Sequence, residues 1–319
     1  MKNVLNYFFG KATKLSRFGP SSGERLLRCL NVAELCNKAG LSTHLIDSEW
    51  KWYYLMSYEV EKLLSYSKVL TILTFTARHR NILKILHQTL AVAENLNKII
   101  GVNIVAGNKV YLTSSEINRN LSKALIETIK FIKKNYPKIL VFIGAEGLIK
   151  TAAQLAAEYE LIPMLILDRE FKSNLEYIKD VDKTIKTALY APYLISKNYP
   201  RLLHDILVRL AGYILRRRWV QKELKALGYE PSLTMLKEIV QEKKPLSPKL
   251  LSSKLGTFLV NAVADLTIYG EHKEVKEKIK DLMKLNLQYF FGFPIKENEY
   301  QILAFGECVN ELTIKKPLL

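Results

Sequence analysis

The sequence has 319 residues, of which 49% are hydrophobic and 25% charged, and its 48 Lys and Arg outnumber 31 Asp and Glu for a net charge of +17. This apolar content excludes general disorder and is ample for a buried core. The longest run without Asp, Glu, Lys or Arg, Leu285 to Ile295, is shorter than the roughly 20 residues that span a bilayer. The first residues lack a signal-peptide core and cleavage site, so we expect no membrane association.

Cysteine usage and charge placement limit the remaining classes. Cys29, Cys36 and Cys308 form no CxxC pair, which predicts a reduced cytoplasmic protein without structural zinc. The basic excess lies in the first half and in residues 201–250, where Arg216-Arg217-Arg218-Trp219 is the one cluster. Elsewhere Lys is scattered among Ile, Leu, Tyr and Asn. This pattern favours solvated helix faces over a nucleic-acid partner, and a polyanion surface remains the weaker hypothesis.

Short apolar runs alternate with helical patterns along the whole chain. The predicted strands are Val4–Phe9, Thr43–Asp47, Val69–Thr74, Val102–Ala106, Ile139–Ile143, Leu161–Leu167, Leu189–Ile195 and Tyr289–Phe291. Helical spacing of apolar residues predicts Glu24–Ala39, ended by Gly40, as well as Ile82–Leu96, Glu274–Leu285 and Tyr300–Leu312. The pattern between Pro200 and Ala264 is helical throughout.

Eight strand-then-helix units predict an α/β fold, a (β/α)8 TIM barrel. We expect one domain over residues 1–319, with a helical insertion of about 198–264 after the seventh strand. An open doubly wound sheet is the alternative. It is disfavoured because no GxGxxG motif follows the first strand.

In a barrel of this kind, the chemistry lies at the carboxyl ends of the strands. Those ends are poor in ionisable groups and show no metal cluster, which suits a large planar cofactor that does its own chemistry. One of them, Gly144-Ala145-Glu146-Gly147, follows a buried strand and opens a helix. Its small residues and helix-end amides could hold a phosphate. An ordinary strand-to-helix turn that needs glycine is the alternative.

Three segments resemble the bacterial luciferase-like superfamily, whose members are flavin-dependent monooxygenases and coenzyme F420-dependent reductases. They are HQTLAVAENLNKIIGVNIVAG, which ends at Gly107, YPKILVFIGAEGLIKTAAQLAAE, which begins at Tyr136, and IYGEHKEVKEKIKDLMKLNLQYFFGFPIKENEYQILAFGE, which begins at Ile268. They cover roughly a third of the chain, in the order and spacing expected around the barrel.

The resemblance implies a cofactor, reduced FMN or coenzyme F420, and residues that bind it. Thr74 and Phe75 stand where the family places a bulge, often with a cis peptide, under the ring, and a plain strand end is the alternative. Asn103 would hydrogen-bond the pyrimidine edge of the cofactor, unless it is a core amide. The remaining candidates are Gly107, which keeps the strand-end pattern, and the phosphate-binding Gly144, Ala145 and Gly147.

The catalytic candidates are Asp47, where the reductases carry Asp-His, and Tyr193 on the seventh strand, which could orient a carbonyl or pterin-like substrate. The implied function is that of an oxidoreductase acting on a small organic substrate, with a flavin reductase as electron donor. The family also implies a homodimer through the helices after strands two and three, where Leu83, Leu86, Leu90 and Ala93 share helical spacing. Because Ser48 and the seventh strand depart from the family pattern, a non-catalytic paralogue with a binding or regulatory role is the alternative.

Overall fold

The computed structural model describes residues 8–14, 22–47, 54–107, 117, 120–240 and 246–313. Its strands are β1 Phe8–Lys14, β2 Thr43–Asp47, β3 Leu70–Thr76, β4 Gly101–Val105, β5 Leu140–Gly144, β6 Ile162–Ile166, β7 Ala188–Ile195, β8 Ile268–Gly270 and β9 Tyr289–Pro294. Its helices are α1 Ser22–Lys38, α2 Ser57–Tyr66, α3 Ile82–Asn95, α4 Leu121–Asn135, α5 Ile149–Tyr159, α6 Phe171–Val181, α7 Tyr199–Leu215, α8 Arg218–Ala226, α9 Leu233–Val240, α10 Pro248–Leu251, α11 Lys254–Leu266, α12 His272–Met283 and α13 Glu299–Thr313.

Eight of these strands form a closed parallel barrel. The hydrogen-bonded order runs β6-β5-β4-β3-β2-β1-β9-β7, and β7 pairs with β6 to close the ring. The short strand β8 lies outside the ring, paired with β7. The predicted (β/α)8 TIM barrel is therefore confirmed, and seven of its eight strands lie on the apolar runs that predict them.

The first strand lies further along the chain than predicted. The expected strand ended at Phe9, whereas β1 runs from Phe8 to Lys14 and pairs with β2 as far as Lys14. The polar residues of the segment KATK gave no sign of a buried strand, because Lys and Thr usually lie at the surface. In the structure Lys11 and Thr13 are fully buried. The first helix ends one residue before the predicted Ala39: α1 stops at Lys38, and Gly40 follows with φ 67° as expected of a helix-ending glycine.

The chain divides into two compact units. The first holds the described residues up to Ile166 together with Glu170–Tyr190 and Asn286–Gly292, and so contains the barrel pairings β1 to β6, the start of β7 and most of β9. The second holds Leu167–Arg169, Ala191–Leu285 and the described residues from Phe293 onward, with α7 to α13 and β8. The single domain over 1–319 and its insertion at 198–264 stay predictions. No helix in the described part of the chain is long and apolar enough to cross a membrane.

Candidate active site

An aromatic cluster identifies the side chains that point into the barrel. The Phe142 ring on β5 lies 5.0 Å from the Tyr289 ring and 5.9 Å from the Phe291 ring, both on β9. Because β5 and β9 are not neighbours in the sheet, these rings can meet only across the interior. Phe142 pairs in register with Asn103, and Asn103 pairs with Thr74. Residues paired in register share a face of the sheet, so Asn103 and Thr74 also point inward.

Asn103 carries the most informative polar atom of this interior. Its side-chain nitrogen donates to the Thr74 hydroxyl over 3.2 Å. The residue is only 4% exposed, and its buried side-chain oxygen has no hydrogen-bond partner. A buried acceptor without a donor costs free energy, about 1–3 kcal/mol. The interior therefore offers an acceptor that suits a ligand with an N–H or O–H group.

Two ionisable side chains, Asp47 and Tyr190, meet in the barrel interior. The register of β2 with β3 places Asp47 next to Thr74, since Ile46 pairs with Leu73. The Tyr190 hydroxyl on β7 donates to Asp47 Oδ2 over 3.5 Å. β2 and β7 are separated by β1 and β9 in the ring, so this contact also spans the interior. Asp47 is a predicted site residue, whereas Tyr190 is not among the residues predicted from the sequence.

Tyr193, the tyrosine selected from the sequence, has a different environment. Its ring stacks on Phe305 of α13, with centroids 4.6 Å apart, and its hydroxyl donates to the Gln301 carbonyl over 2.9 Å. It is fully buried. Tyr190 and Tyr193 are three residues apart on one strand, so they face opposite sides of it. The expected catalytic role of Tyr193 is corrected accordingly, because its hydroxyl is committed to helix packing.

The segment Thr74-Phe75-Thr76 also differs from expectation. Its pairing with β4 is continuous, Thr74 to Asn103, Phe75 to Ile104 and Thr76 to Val105, so the expected bulge is absent. No peptide bond of the described residues is cis. The Phe75 ring packs 5.4 Å from Tyr54, and the Tyr54 hydroxyl accepts from the Thr76 amide. Phe75 thus belongs to the packing around the strand end, while Thr74 faces the interior.

The four small residues predicted to bind the cofactor at strand ends, Gly107, Gly144, Ala145 and Gly147, differ in whether they leave room for a ligand. At Gly107 a Cβ atom would lie 2.1 Å from Thr76 Cγ2, and at Gly144 it would lie 2.9 Å from Val105 Cγ1, so both glycines allow close strand packing. Gly147 has φ +68° and open space around it, two residues before α5 begins. The Ala145 amide donates to the Met164 carbonyl and is used by the sheet. Among the four, Gly147 is therefore the position with room for a ligand.

A second polar cluster lies beside α1. The Lys11 ammonium donates to the Thr13 hydroxyl over 2.9 Å, and that hydroxyl lies 2.9 Å from His44 Nε2. Burial, followed by the charge of Lys11, lowers the pKa of His44 to about 3. Burial raises the pKa of the nearby Cys36 thiol to about 12. At neutral pH the imidazole is uncharged and the thiol is protonated, so neither is a nucleophile or a proton donor for the interior.

The described residues show no group of three His, Cys, Asp or Glu side chains that could hold a metal ion. Ser48, where the pattern departs from the family, lies outside the described residues.

A family model matches residues 37–301. The chain belongs to DUF7388, a family of unknown function. No curated protein matches it in sequence.

Solved structures share the fold of this DUF7388 chain over nearly its whole length. The coenzyme F420-dependent tetrahydromethanopterin reductase from Methanopyrus kandleri is 14% identical, with a TM-score of 0.68 over 96% of this chain and 99% of that one. An F420-dependent secondary alcohol dehydrogenase in complex with an F420-acetone adduct is 12% identical, with a TM-score of 0.63 over 96% and 98%. The oxygenating constituent of 3,6-diketocamphane monooxygenase from Pseudomonas putida, in complex with FMN, is 12% identical, with a TM-score of 0.57 over 98% and 100%.

These neighbours are a coenzyme F420-dependent reductase, an F420-dependent alcohol dehydrogenase and a monooxygenase in complex with FMN. The predicted resemblance is therefore confirmed as a likeness of fold. At such low identities, function has to be argued from the site itself.

Proposed function

We propose that the chain is an oxidoreductase that binds FMN or coenzyme F420 inside the barrel and acts on a small organic substrate. One observation carries this proposal, the buried Asn103 oxygen without a donor. The pyrimidine edge shared by flavins and deazaflavins contains an N–H group that could donate to it. Fold neighbours that bind F420 or FMN support the same cofactor class.

The residues present fit such a cofactor. Asn103 would hold the pyrimidine edge, with Thr74 fixing the orientation of the Asn103 amide. Gly147 and the first amides of α5 would hold the phosphate, because the first N–H groups of a helix lack intrahelical partners and carry partial positive charge. When bound in its reduced form, the cofactor supplies a hydride to the substrate. The chain supplies orientation and a largely apolar interior lined by Phe142 and Phe291.

We further propose a homodimer whose face keeps α2, the helix after strand two, but uses α1 in place of α3. Leu86, Leu90 and Ala93 of α3 are fully buried within their own chain and are not available to a partner. Large apolar side chains are instead exposed on and next to α1 and α2, where Leu27 is 60%, Met56 58% and Tyr58 50% exposed. Packing a second copy on this face would bury them. A flavin reductase as electron donor and a reducing, cytoplasmic location complete the proposal.

A non-catalytic binding role is the second candidate. It is favoured because several residues predicted to act on substrate or cofactor instead make contacts within the chain. Tyr193 and Phe75 are committed to packing, and the Ala145 amide is committed to the sheet. Such a protein would keep the barrel and bind its ligand without turnover.

Titration distinguishes these candidates. Purified protein is titrated with FMN and, separately, with F420, in oxidised and reduced form, and absorbance and fluorescence are recorded. Saturable binding of one cofactor, followed by its oxidation or reduction in the presence of a substrate, supports the oxidoreductase. Saturable binding without turnover supports the binding protein. If neither cofactor binds to the folded protein at millimolar concentration, the proposal is wrong.

A further inference from the structure

Arg78 lies at the carboxyl end of the barrel, in the turn that follows β3. The His79 amide donates to the Thr76 carbonyl over 3.1 Å and closes this turn. The Arg78 Nε donates to the Gly107 carbonyl over 3.2 Å, just beyond the end of β4. Ligands bind at this end of a TIM barrel, so the Arg78 guanidinium is fixed where ligand sites form.

The Gly107 carbonyl uses only one of the five N–H groups of the Arg78 side chain. Among the described residues this is the one hydrogen bond of the side chain, and none of them forms an ion pair with it. The side chain is half-buried. A partly desolvated cation without an anion costs free energy, and its Nη1 and Nη2 groups are the paired donors that bind two oxygens of one anion.

The charge around Arg78 selects the kind of anion. The His79 Nδ1 accepts a hydrogen bond from the Asn81 amide over 3.1 Å. A ring nitrogen that accepts carries no proton, so this imidazole is neutral. The Arg80 side chain is exposed. Arg78 therefore brings one partly buried positive charge, which suits a carboxylate better than a phosphate group with about two negative charges at pH 7.

Arg78 also lies apart from the proposed phosphate position. Gly147 follows β5, whereas Arg78 follows β3, and β4 with Asn103 lies between these two strands. The proposed cofactor, extending from Asn103 to Gly147, runs toward β5 and away from β3. A separate molecule is therefore needed to supply an anion to Arg78.

We infer that Arg78 anchors a second ligand site at the carboxyl end of the barrel, which binds a small organic carboxylate. Nη1 and Nη2 each donate to one carboxylate oxygen, and the bond from Nε to the Gly107 carbonyl holds the guanidinium plane in place. The site goes beyond the proposed function, because it needs no cofactor. When a cofactor is bound as well, the carboxylate is that of the substrate, and this last step alone rests on the proposed function.

A titration with a fluorinated carboxylate tests the site on the full-length protein without cofactor. Binding of 4-fluorobenzoate is followed by 19F NMR in low-salt buffer, and 4-fluorobenzamide is the uncharged ligand of similar shape. The variants are Arg78→Gln and Arg78→Lys, and denaturant unfolding shows whether each is folded. Arg80→Gln is the matched control, because it removes an exposed charge two residues away. The wild-type titration is repeated with saturating FMN or F420, whichever binds.

We expect 4-fluorobenzoate to bind saturably, with equal affinity for the wild type and Arg80→Gln. Arg78→Gln should weaken this binding at least about tenfold, the effect of one lost hydrogen bond to a charged group. Arg78→Lys keeps the charge but not the paired donors, so its affinity should lie between those of the wild type and Arg78→Gln. The wild type should bind 4-fluorobenzamide as weakly as Arg78→Gln binds 4-fluorobenzoate. Saturating cofactor should leave the affinity for 4-fluorobenzoate unchanged.

Three results would overturn the inference. The first is absence of 4-fluorobenzoate binding to the wild type at millimolar concentration, or equal binding to the wild type and Arg78→Gln. The second is an equal loss of affinity in Arg78→Gln and Arg80→Gln, which would indicate attraction by net charge alone. The third is displacement of 4-fluorobenzoate by FMN or F420, which would assign Arg78 to the cofactor.

Failure of the carboxylate site is distinguishable from failure of the proposed function. If neither FMN nor F420 binds, the proposed function falls, whereas a carboxylate site measured without cofactor stands. If a cofactor binds and 4-fluorobenzoate does not, the carboxylate site alone is wrong.

Discussion

The Asn103 side-chain nitrogen donates to the Thr74 hydroxyl across the β3–β4 pair, and this bond turns the Asn103 oxygen toward the barrel interior without a donor. The arrangement keeps a polar atom in a place where an apolar residue would be more stable. Such a cost is expected where a ligand completes the hydrogen bonding.

Replacing Asn103 should therefore separate stability from binding. Asn103→Leu removes the unsatisfied acceptor, so we expect the free energy of unfolding to stay equal or rise by about 1 kcal/mol. Affinity for the cofactor should fall at least tenfold. Thr128→Val, which removes a buried hydroxyl of α4 that is bonded to the Ala124 carbonyl, is the control and should leave cofactor affinity unchanged. Denaturant unfolding and cofactor titration provide the two measurements. Equal affinity in Asn103→Leu and the wild type would contradict the assignment.

The phosphate position is tested at Gly147. Gly147→Asp places a carboxylate at the start of α5 and should weaken cofactor binding by about 2 kcal/mol, through charge repulsion and lost close approach. Gly228→Asp is a matched control, since Gly228 also has a positive φ, +85°, and open space around it. Both variants should lose similar stability from the strained backbone. Calorimetric titration should show weaker binding in Gly147→Asp alone, and equal weakening in both would place the phosphate elsewhere.

His44 should make the protein less stable in mild acid. Its pKa is about 3 in the folded chain against about 6.5 when unfolded, so the unfolded state binds the extra proton between these values. The stability that neutral His44 provides is present above pH 6.5 and is lost as the pH falls toward 3. The expected slope is about 1.4 kcal/mol per pH unit. Urea unfolding between pH 7.5 and 4 measures it, and His44→Gln, which cannot titrate, should show a shallower slope than the wild type.

The cysteines should resist alkylation in the folded protein. Burial raises the pKa values of the Cys36 and Cys308 thiols to about 12, so little thiolate exists at pH 8. We expect iodoacetamide to modify both at least about 100-fold more slowly than free cysteine. After unfolding in guanidinium, both should react at ordinary rates. Mass spectrometry of time points gives the two rates, and fast native labelling of Cys36 would contradict its burial.

The proposed dimer face predicts the effect of a charge on α2. Tyr58→Asp, at a side chain that is 50% exposed, should convert a dimer to a monomer, because the interface would have to bury a carboxylate among apolar side chains. Ile99→Asp, at an apolar side chain that is 67% exposed just before β4, is the control and should leave the dimer intact. Light scattering at micromolar concentration reports the mass. A monomeric wild type would remove the proposal.

Much of the fold is readable from local pattern. Apolar runs flanked by helical periodicity mark β2 to β7 and β9, and Asp47 and Asn103 are found in or at the end of such runs. β1 was misplaced because its buried Lys11 and Thr13 resemble a surface segment. Their hydrogen bonds to each other and toward His44 exist only after β1 and β2 pair.

Only the tertiary structure shows which tyrosine of β7 faces the barrel interior. Every residue of β7 is buried, so its sequence carries no alternation that distinguishes the barrel interior from the helix side. Closure of the ring, with Met164 paired to Ala188, turns Tyr190 toward Asp47, while Tyr193 packs against Phe305. The sequence by itself determined the number of barrel strands and their order along the chain, because burial on both faces requires apolar runs, whereas the short β8 outside the ring was not predicted. Which side of each strand faces inward depends on the register between strands that are distant in the chain, and that register exists only in the folded barrel.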